Sequence, residues 1–581
     1  MDNLMQKFPH LPEQIFQKLN NESLFKCREV AKDWKSLIDG RNYPWLCIVN
    51  IPTILKKSTY LHLSAETGQI QAFKTAFSET EDKNIQNDHG ETSFHIACKN
   101  GGFKIVQLLL HTADLEINAK DNDINLNATT KIGDEAFHLA CKNGCSDVIN
   151  ILLENAASFG IDFNAKDKNG STGFHLVCKT GFLDLVKIIM ENSAKLNFNL
   201  NTKNDRGWTG FHYVCEMGFS DIVQMFLKNA AALRIDLNAK TNTGLAAFDV
   251  ACCVGHLDVV KIFMENAVNL RINLNTKCKT GMTAFHSACS RGHSDVIKTF
   301  LENAVALNID LNGKDSFGNT AFYWACQFGS SDAVKIFMEH SATLSIDLNL
   351  KNNKGTTPFH IACSMGHPDV IKTFLENAVA LNIDLNVKDS FGNTAFYWAC
   401  RFGSSDAVTI FMEHSAALSI DLNSKSNKGM TPFHIACSRG HPDVVKIFLQ
   451  YAVTLNIDLN VKDKDGNTAF HLACQKTACI WARNQGHSDV VKILIENAVT
   501  FGVDLNTKNN YNWTGFQEAC QTGLTDMVKI FLENQARFRF DFNTEGNRGW
   551  TALTEAASNG HKEVVDHFHE SRDGAADTTP G

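Results

Sequence analysis

The amino-acid sequence predicts an all-α repeat solenoid of β-turn/helix/helix units, preceded by a small helical segment. The first observation is a glycine that recurs every 37 residues through the centre of the chain. The second is a pair of helical patterns of apolar residues after each glycine. The third is a cysteine that occupies the same place in twelve units. Repeats of about 20 to 50 residues are typical of solenoids, whose units bury their apolar faces against each other. The recurring glycines are Gly170, Gly207, Gly244, Gly281, Gly318, Gly355, Gly392, Gly429 and Gly466.

The unit that begins at Gly281 shows the order of the elements. This glycine marks a turn, because the equivalent place after Gly466 holds Asn512, and asparagine is the commonest non-glycine residue where φ is positive. Thr283 can cap a short first helix that ends at Gly292. A second helix over residues 293–304 and an extended polar arm lead to the next glycine. The predicted unit is therefore an arm, a turn and two helices.

The start of the first helix resembles a known repeat family. The hexapeptides 357–362 (TPFHIA) and 431–436 (TPFHIA) resemble the ankyrin signature T-P-L-H-x-A, with phenylalanine for leucine. The resemblance covers residues 57–570 in about 14 units, the first of them degenerate. It implies a scaffold for protein–protein interaction that holds its partner on a concave surface made by the turn tips and first helices.

The repeats depart from the ankyrin pattern in length. The period is 37 residues rather than about 33, and the extra residues, such as 305–308, follow the second helix. We expect one more helical turn there, roughly 6 Å long. A longer connection over residues 122–131 predicts an exposed loop, and an insertion between Cys474 and Gly486 predicts a projection from the surface.

The turn tips and the first helices supply the candidate partner-binding residues. Tip residues vary between units while their flanks do not, as expected of a binding surface, and aromatic and arginine side chains dominate interface energetics. Residues 295–349 and 369–423 are almost identical, which indicates duplication of a block of 74 residues. The two tryptophans could instead pack between first helices. The candidates are Arg206, Phe317, Tyr323, Trp324, Phe328, Phe391, Tyr397, Trp398 and Phe402.

Residues 1–56 form a separate segment before the repeats. Residues 8–46 resemble an F-box, a motif that starts with Leu-Pro (11–12 here) and ends near Val-x-Lys-x-Trp (30–34 here), although the segment is about one helical turn short between Leu19 and Leu24. The resemblance implies docking on a Skp1-type linker of a cullin (SCF) ubiquitin ligase. The alternative is a helical cap over the first repeat, which every solenoid needs. The residues that would bind the linker are Pro12, Ile15, Leu19, Leu24, Val30 and Trp34.

Two functions therefore remain open. The chain is either the substrate-recognition subunit of such a ligase or a scaffold or tether without ligase linkage. No phosphate loop, nucleophile motif or carboxylate pair stands out, so we expect neither an enzyme nor a cofactor. We expect a monomer.

Charge and cysteine usage restrict the partners and the compartment. The formal charge is −8 with no block of like charges, which predicts no nucleic-acid or membrane partner and at most a mild preference for basic ligands. One cysteine per unit is typical of reduced core cysteine in an intracellular, cytoplasmic protein. The recurring Phe-His-x-x-Cys supplies two potential zinc ligands per unit rather than four, so we expect the histidine to hydrogen-bond between units and no metal site.

Two smaller predictions concern the arms and the C-terminus. The Leu-x-x-Asp-Leu-Asn arms resemble asparagine-hydroxylation sites of other ankyrin proteins. The alternative, which we favour, is that these asparagines hydrogen-bond the turn backbone. Residues 571–581 are predicted to be a polar tail. The candidate asparagines are Asn238, Asn312, Asn386 and Asn460.

Overall fold

The computed structural model describes residues 57–110, 124–156, 160–475, 484–538, 540–547 and 549–576. The predicted F-box-like segment and the projection at residues 476–483 lie outside these ranges. The chain divides into two compact units, Met1–Ala247 and Phe248–Gly581, and each is described by itself.

The described residues form 14 helix pairs and one additional single-turn helix, α27. The first unit contains α1 (Lys57–Thr67), α2 (Ile70–Glu79), α3 (Ser93–Lys99), α4 (Phe103–Leu110), α5 (Ala136–Asn143), α6 (Ser146–Glu154), α7 (Gly173–Thr180), α8 (Leu183–Asn192), α9 (Gly210–Met217) and α10 (Ser220–Asn229). The helices from Ala247 onward are α11 (Ala247–Val254), α12 (Leu257–Asn266), α13 (Ala284–Arg291), α14 (Ser294–Asn303), α15 (Ala321–Gln327), α16 (Ser331–Ser341), α17 (Pro358–Met365), α18 (Pro368–Asn377), α19 (Ala395–Phe402), α20 (Ser405–Leu418), α21 (Pro432–Ser438), α22 (Pro442–Ala452), α23 (Ala469–Cys474), α24 (Asn484–Phe501), α25 (Gly515–Thr522), α26 (Thr525–Glu533), α27 (Gln535–Phe538), α28 (Ala552–Ser558) and α29 (Lys562–Ala576).

Most first helices begin at a capping threonine, as predicted, whereas Glu135 takes that place in α5. In α17, Thr357 Oγ1 accepts the backbone N–H of His360 at 3.4 Å. His360 Nδ1 in turn accepts the backbone N–H of Thr357 at 3.2 Å. Two N–H groups that the helix start would leave without partners are thereby satisfied.

Most first helices end at a glycine or one residue before it, and the glycine at the end of α19 is required for two reasons. Gly403 has φ of 72°, which costs a residue with a side chain about 1–2 kcal/mol. A Cβ atom there would also lie 2.6 Å from Nδ1 of His441 in the next repeat. The close approach lets Nε2 of this histidine donate to the Arg401 carbonyl at 3.0 Å.

The prediction that the four extra residues of each repeat lengthen the second helix is confirmed in some repeats only. In α20 and α24 the second helix continues as a regular helix, as predicted. After α14 it does not, because residues 304–308 form an irregular turn. Asn308 has φ of 50°, and the Ile309 N–H donates to the Ala304 carbonyl at 2.9 Å. This is a Schellman-type closure with a non-glycine residue in the left-handed position.

The core of the second unit is a zigzag of phenylalanines contributed by both helices of neighbouring repeats. Phe337 lies 5.0 Å from Phe322 of its own repeat and 5.5 Å from Phe285 of the preceding one, between ring centroids. The recurring cysteines are also fully buried, as predicted. Burial raises the pKa of each such thiol, Cys289 among them, so these cysteines stay neutral.

Neighbouring repeats are also joined by three series of polar bonds. His360 Nε2 donates to the Asn393 carbonyl at 3.1 Å, which confirms the predicted role of the histidine. Burial lowers the pKa of this histidine, so it remains neutral. The sequence did not predict the second series, in which Lys314 Nζ donates to the Lys351 carbonyl at 2.8 Å. The third series uses the arm asparagines.

The arm asparagines bond the next repeat. Asn312 Nδ2 donates to the Ser345 carbonyl at 3.0 Å, and its Oδ1 accepts the Asp347 N–H at 3.0 Å. Asn386 and Asn460 make the same two kinds of bond. These side chains therefore hydrogen-bond backbone groups, as in the alternative that we favoured over hydroxylation. Their partners belong to the next repeat rather than to their own turn.

Three further features concern connections and ends. Residues 124–131 of the predicted loop are mostly exposed or half-buried, with Thr130 buried. Helix α29 continues to Ala576, six residues into the predicted polar tail. No helix in the described part of the chain combines the length and the apolar composition needed to cross a bilayer.

Candidate protein-binding surface

The turn surface is defined here as the exposed side chains of five 16-residue segments of the second unit, 277–292, 314–329, 351–366, 388–403 and 425–440. Each segment runs from an arm lysine through the turn to the end of the first helix. First helices pack on first helices of adjacent repeats, so they form one layer and the second helices form another. The Asn353 N–H donates to the Phe317 carbonyl at 3.0 Å, and the Ser390 N–H donates to the Lys354 carbonyl at 3.1 Å. These bonds fix the spacing of neighbouring tips.

A buried aspartate organises the turn that carries Phe317. Oδ1 of Asp315 accepts the backbone N–H groups of Phe317 and Asn319, both at 2.8 Å. Gly318 has φ of 79°, and a Cβ there would lie 2.4 Å from the Asn353 side chain. The turn is therefore fixed by hydrogen bonds to a buried side chain, while Phe317 at its tip is 62% exposed.

The same aspartate orients a tryptophan on the first helix. Oδ2 of Asp315 accepts the Trp324 Nε1–H at 3.0 Å. The half-buried indole stacks on the exposed ring of Phe328 with centroids 5.9 Å apart and planes inclined by 14°. One buried carboxylate thus positions both a tip and a tryptophan. We call Phe317, Trp324 and Phe328 the first aromatic set.

The duplicated block repeats this arrangement in the second aromatic set, which consists of Phe391, Trp398 and Phe402. Trp398 Nε1 donates to Asp389 Oδ2 at 2.9 Å, and its ring lies 5.7 Å from that of Phe402. The Phe391 ring is 64% exposed. Arg401 adds a cation 5.9 Å from both the indole and the Phe402 ring. Each tryptophan packs within its own repeat and is half-buried, so its role as a partner anchor stays a prediction.

Tyr323 and Tyr397 do not belong to these sets, and their prediction as exposed anchors is wrong. They are 7% and 4% exposed. Each occupies the place of the capping histidine on the first helix, which faces the next repeat rather than solvent. Burial raises the pKa of Tyr397 to about 12.

Arg206 lies at a turn tip of the first unit and is exposed. Its carbonyl accepts the Asn242 N–H at 3.0 Å, as at the other tips. In the same repeat, Trp208 and Tyr213 lie 5.1 Å apart between ring centroids. This tip is a separate candidate, described within its own unit.

Three residues that shape or line the turn surface were missed from the sequence. Asp315 and Asp389 were not predicted, although the repeated string KDSFGN marks both positions. Met365 is exposed at the place that Phe328 and Phe402 occupy in the neighbouring repeats. A comparison of equivalent positions, 37 residues apart, would have found it.

The described residues offer no assembled metal centre. No group of three or more His, Cys, Asp or Glu side chains in that part of the chain could hold an ion. In each Phe-His-x-x-Cys the cysteine lies in the core, and His360 shows how both histidine nitrogens are engaged.

A stack of turn–helix–helix repeats with aromatic side chains at its turn tips is a scaffold for protein–protein interaction. A family model described as ankyrin repeats (3 copies) matches residues 37–121, 61–167, 117–200, 138–241, 174–276, 251–352, 303–389, 342–426 and 479–576. A second model, ankyrin repeats (many copies), matches residues 414–473. The chain therefore belongs to the ankyrin-repeat family. No curated protein matches it. Neither matching model is an F-box, so that resemblance stays a prediction.

Proposed function

We propose that the protein recruits a protein partner on the turn surface of its second unit, with the two aromatic sets as anchors. The observation that carries this proposal is the exposure of Phe317 and Phe391 on turns held by buried aspartates. Exposed aromatic side chains on a rigid support lose little conformational entropy when they bind, and such residues are frequent hot spots. Ankyrin-repeat proteins are typically non-enzymatic scaffolds, and we extend this, with a monomeric cytoplasmic state and no cofactor, to the present chain.

The test is affinity purification from cells with a matched pair of double variants. Phe328→Ala with Phe402→Ala removes one ring from each aromatic set. Val305→Ala with Val379→Ala removes apolar side chains that are 82% exposed beyond the second helices of the same duplicated blocks. We expect the specific partner to be lost from the first variant and kept by the second. Equal recovery with both variants would contradict the proposal.

We further propose that residues 1–56 couple the bound partner to a cullin-type ubiquitin ligase. The support is the F-box-like pattern of residues 8–46. The full chain carrying Ile15→Asp should lose co-purification with a Skp1-type linker that the unchanged chain retains. If the unchanged chain binds no linker while Ile15→Asp lowers the melting temperature, the alternative holds, and the segment is a cap on a scaffold or tether.

A further inference from the structure

The net charge of the protein conceals a separation of charge between two sets of segments in the second unit. The five segments of the turn surface contain eleven basic residues and two acidic ones. The four intervening segments, 293–313, 330–350, 367–387 and 404–424, hold the second helices and arms and contain three basic and twelve acidic residues. The basic residues of the turn segments are Lys277, Lys279, Arg291, Lys314, Lys351, Lys354, Lys388, Arg401, Lys425, Lys428 and Arg439.

The two acidic residues of the turn segments do not reduce this positive charge at the surface. Asp315 and Asp389 are buried, and their oxygens accept bonds from turn amides and from the tryptophan of the same repeat. Within the described residues, no carboxylate lies within 4.0 Å of the exposed ammonium groups of Lys279, Lys354 and Lys428. The turn surface therefore presents cations with no exposed anion of its own.

The arm lysines keep part of this charge in fixed positions. Lys314 Nζ donates to the Lys351 carbonyl at 2.8 Å, and Lys351 Nζ donates to the Lys388 carbonyl at 3.0 Å. A carbonyl is a neutral acceptor, so the bond holds the ammonium group in place without cancelling its charge. The result is a row of cations with the period of the repeat.

Apolar side chains lie between these cations in a regular order. Phe328, Met365 and Phe402 are exposed at the same place in three successive repeats. Arg291 and Arg439 occupy that place in the repeats before and after. At the turn tips, Phe317 and Phe391 alternate with Lys354 and Lys428. Both rows thus mix apolar anchors with cations, which is what a ligand of mixed apolar and acidic character requires.

The spacing of the two aromatic sets limits the ligand further. Equivalent residues of the sets lie 74 residues apart in sequence, which is two repeat steps. Packed helices lie about 8–10 Å apart, so two steps cover roughly 16–20 Å. An extended chain advances about 3.3–3.6 Å per residue. A peptide would span the sets with its apolar side chains about five residues apart.

We propose that the partner presents an extended acidic segment with two apolar side chains about five residues apart. The apolar side chains contact the two aromatic sets, and the carboxylates between and beside them face the lysines and arginines of the turn surface. This inference rests on the proposed function and names the chemistry of its ligand. It also reverses, for this surface, the mild preference for basic ligands expected from the whole-chain charge. A protein segment is favoured over a nucleic acid because each indole is half-buried and stacked on a phenylalanine.

The experiment selects ligands without assuming their identity. Phage-displayed random 16-residue peptides are panned against the full-length protein, and enriched peptides are synthesised with a fluorescent label. We expect net negative peptides with two apolar residues about four to six positions apart. Binding should weaken on the order of tenfold with Lys354→Glu plus Lys428→Glu, and also when NaCl rises from about 50 to about 500 mM. Lys298→Glu plus Lys372→Glu, exposed on the second helices and also 74 residues apart, is the matched control and should leave binding unchanged.

The other outcomes distinguish a failure of this inference from a failure of the proposed function. Peptides that need Phe328 and Phe402 but are neutral or basic would overturn the acidic ligand and leave the binding surface intact. Peptides that bind equally to Phe328→Ala plus Phe402→Ala would overturn both. Tighter binding of a labelled oligothymidylate, lost in the Lys354→Glu plus Lys428→Glu variant, would assign the surface to nucleic acid. Failure to enrich any peptide would contradict a linear ligand.

Discussion

The turn segments of the first unit and those of the second unit share a backbone but differ in charge. Both have capping threonines, left-handed glycines and buried cysteines, such as Thr172 with Cys178 and Thr357 with Cys363. In the first unit, segments 86–101, 129–144, 166–181 and 203–218 contain eight basic and seven acidic residues. In the five segments of the turn surface, which leave out the later turns of the second unit, the corresponding numbers are eleven and two. The repeat therefore specifies the fold with its buried positions and leaves its exposed positions free to specify a ligand.

The largest loss of folding stability should follow substitution at a buried position that both units share. Phe226 and Phe337 occupy the same place on the second helix and are fully buried. Truncation of either to alanine should destabilise its unit by about 3–5 kcal/mol, since it removes apolar burial and leaves a cavity. Urea unfolding followed by circular dichroism measures this. Phe328→Ala, at an exposed position, should change stability by less than about 0.5 kcal/mol. A similar loss in all three variants would contradict the division into buried and exposed roles.

The next effect is specific to the first unit, where Glu135 occupies the capping place that threonine holds in α7 and α9. Burial raises the pKa of this carboxyl to about 7, with a smaller contribution from Asp162. Because the folded state favours the protonated form, stability falls as pH rises from about 4.5 through 7. The loss above pH 7 is on the order of 3 kcal/mol.

Glu135→Thr removes this carboxyl and should raise the melting temperature at pH 8 more than at pH 5. Differential scanning calorimetry of the unchanged and substituted chains at both pH values measures the difference. An equal shift at the two pH values would show that the carboxyl is not held neutral in the folded protein.

The smallest expected change in stability concerns the ends of the second helices, which can be compared between the two units. Arg234 and Ser345 have φ of 52° and 51°, at the place where two other repeats have Gly160 and Gly502. Replacement of either by glycine should stabilise by about 0.5–1 kcal/mol, because the relief of strain exceeds the added chain entropy. Asn308→Gly is the control and should gain less, since asparagine tolerates this conformation. Equal gains at all three positions would contradict the strain explanation.

The repeat architecture could be predicted from the sequence because its signals are local. Capping threonines, C-terminal glycines and apolar spacing each act within one helix, so one unit was enough to derive them. The histidine bond to the next repeat was also predicted. The bonds made by Lys314 and Asn312 were not, because they join residues of adjacent repeats whose side chains carry no local sign of a partner.

The candidate site was predicted only in part, for two physical reasons. Tyr323 was predicted as an anchor together with Trp324, but one step along a helix turns a side chain by about 100°, and Tyr323 is buried. The positive charge of the turn surface was missed because opposite charges on two sets of segments cancel in their sum. The separation becomes visible when each charge is assigned to its segment.

The central claim is that ligands bind the turn surface of the second unit and not the equivalent segments of the first. Backbone hydrogen exchange of the full-length protein, with and without an enriched acidic peptide, tests it most directly. The account predicts slowed exchange in segments 314–329, 351–366 and 388–403, with none in 166–181 or 203–218. Slowed exchange in the first-unit segments, or in α14, α16 and α18 alone, would contradict it.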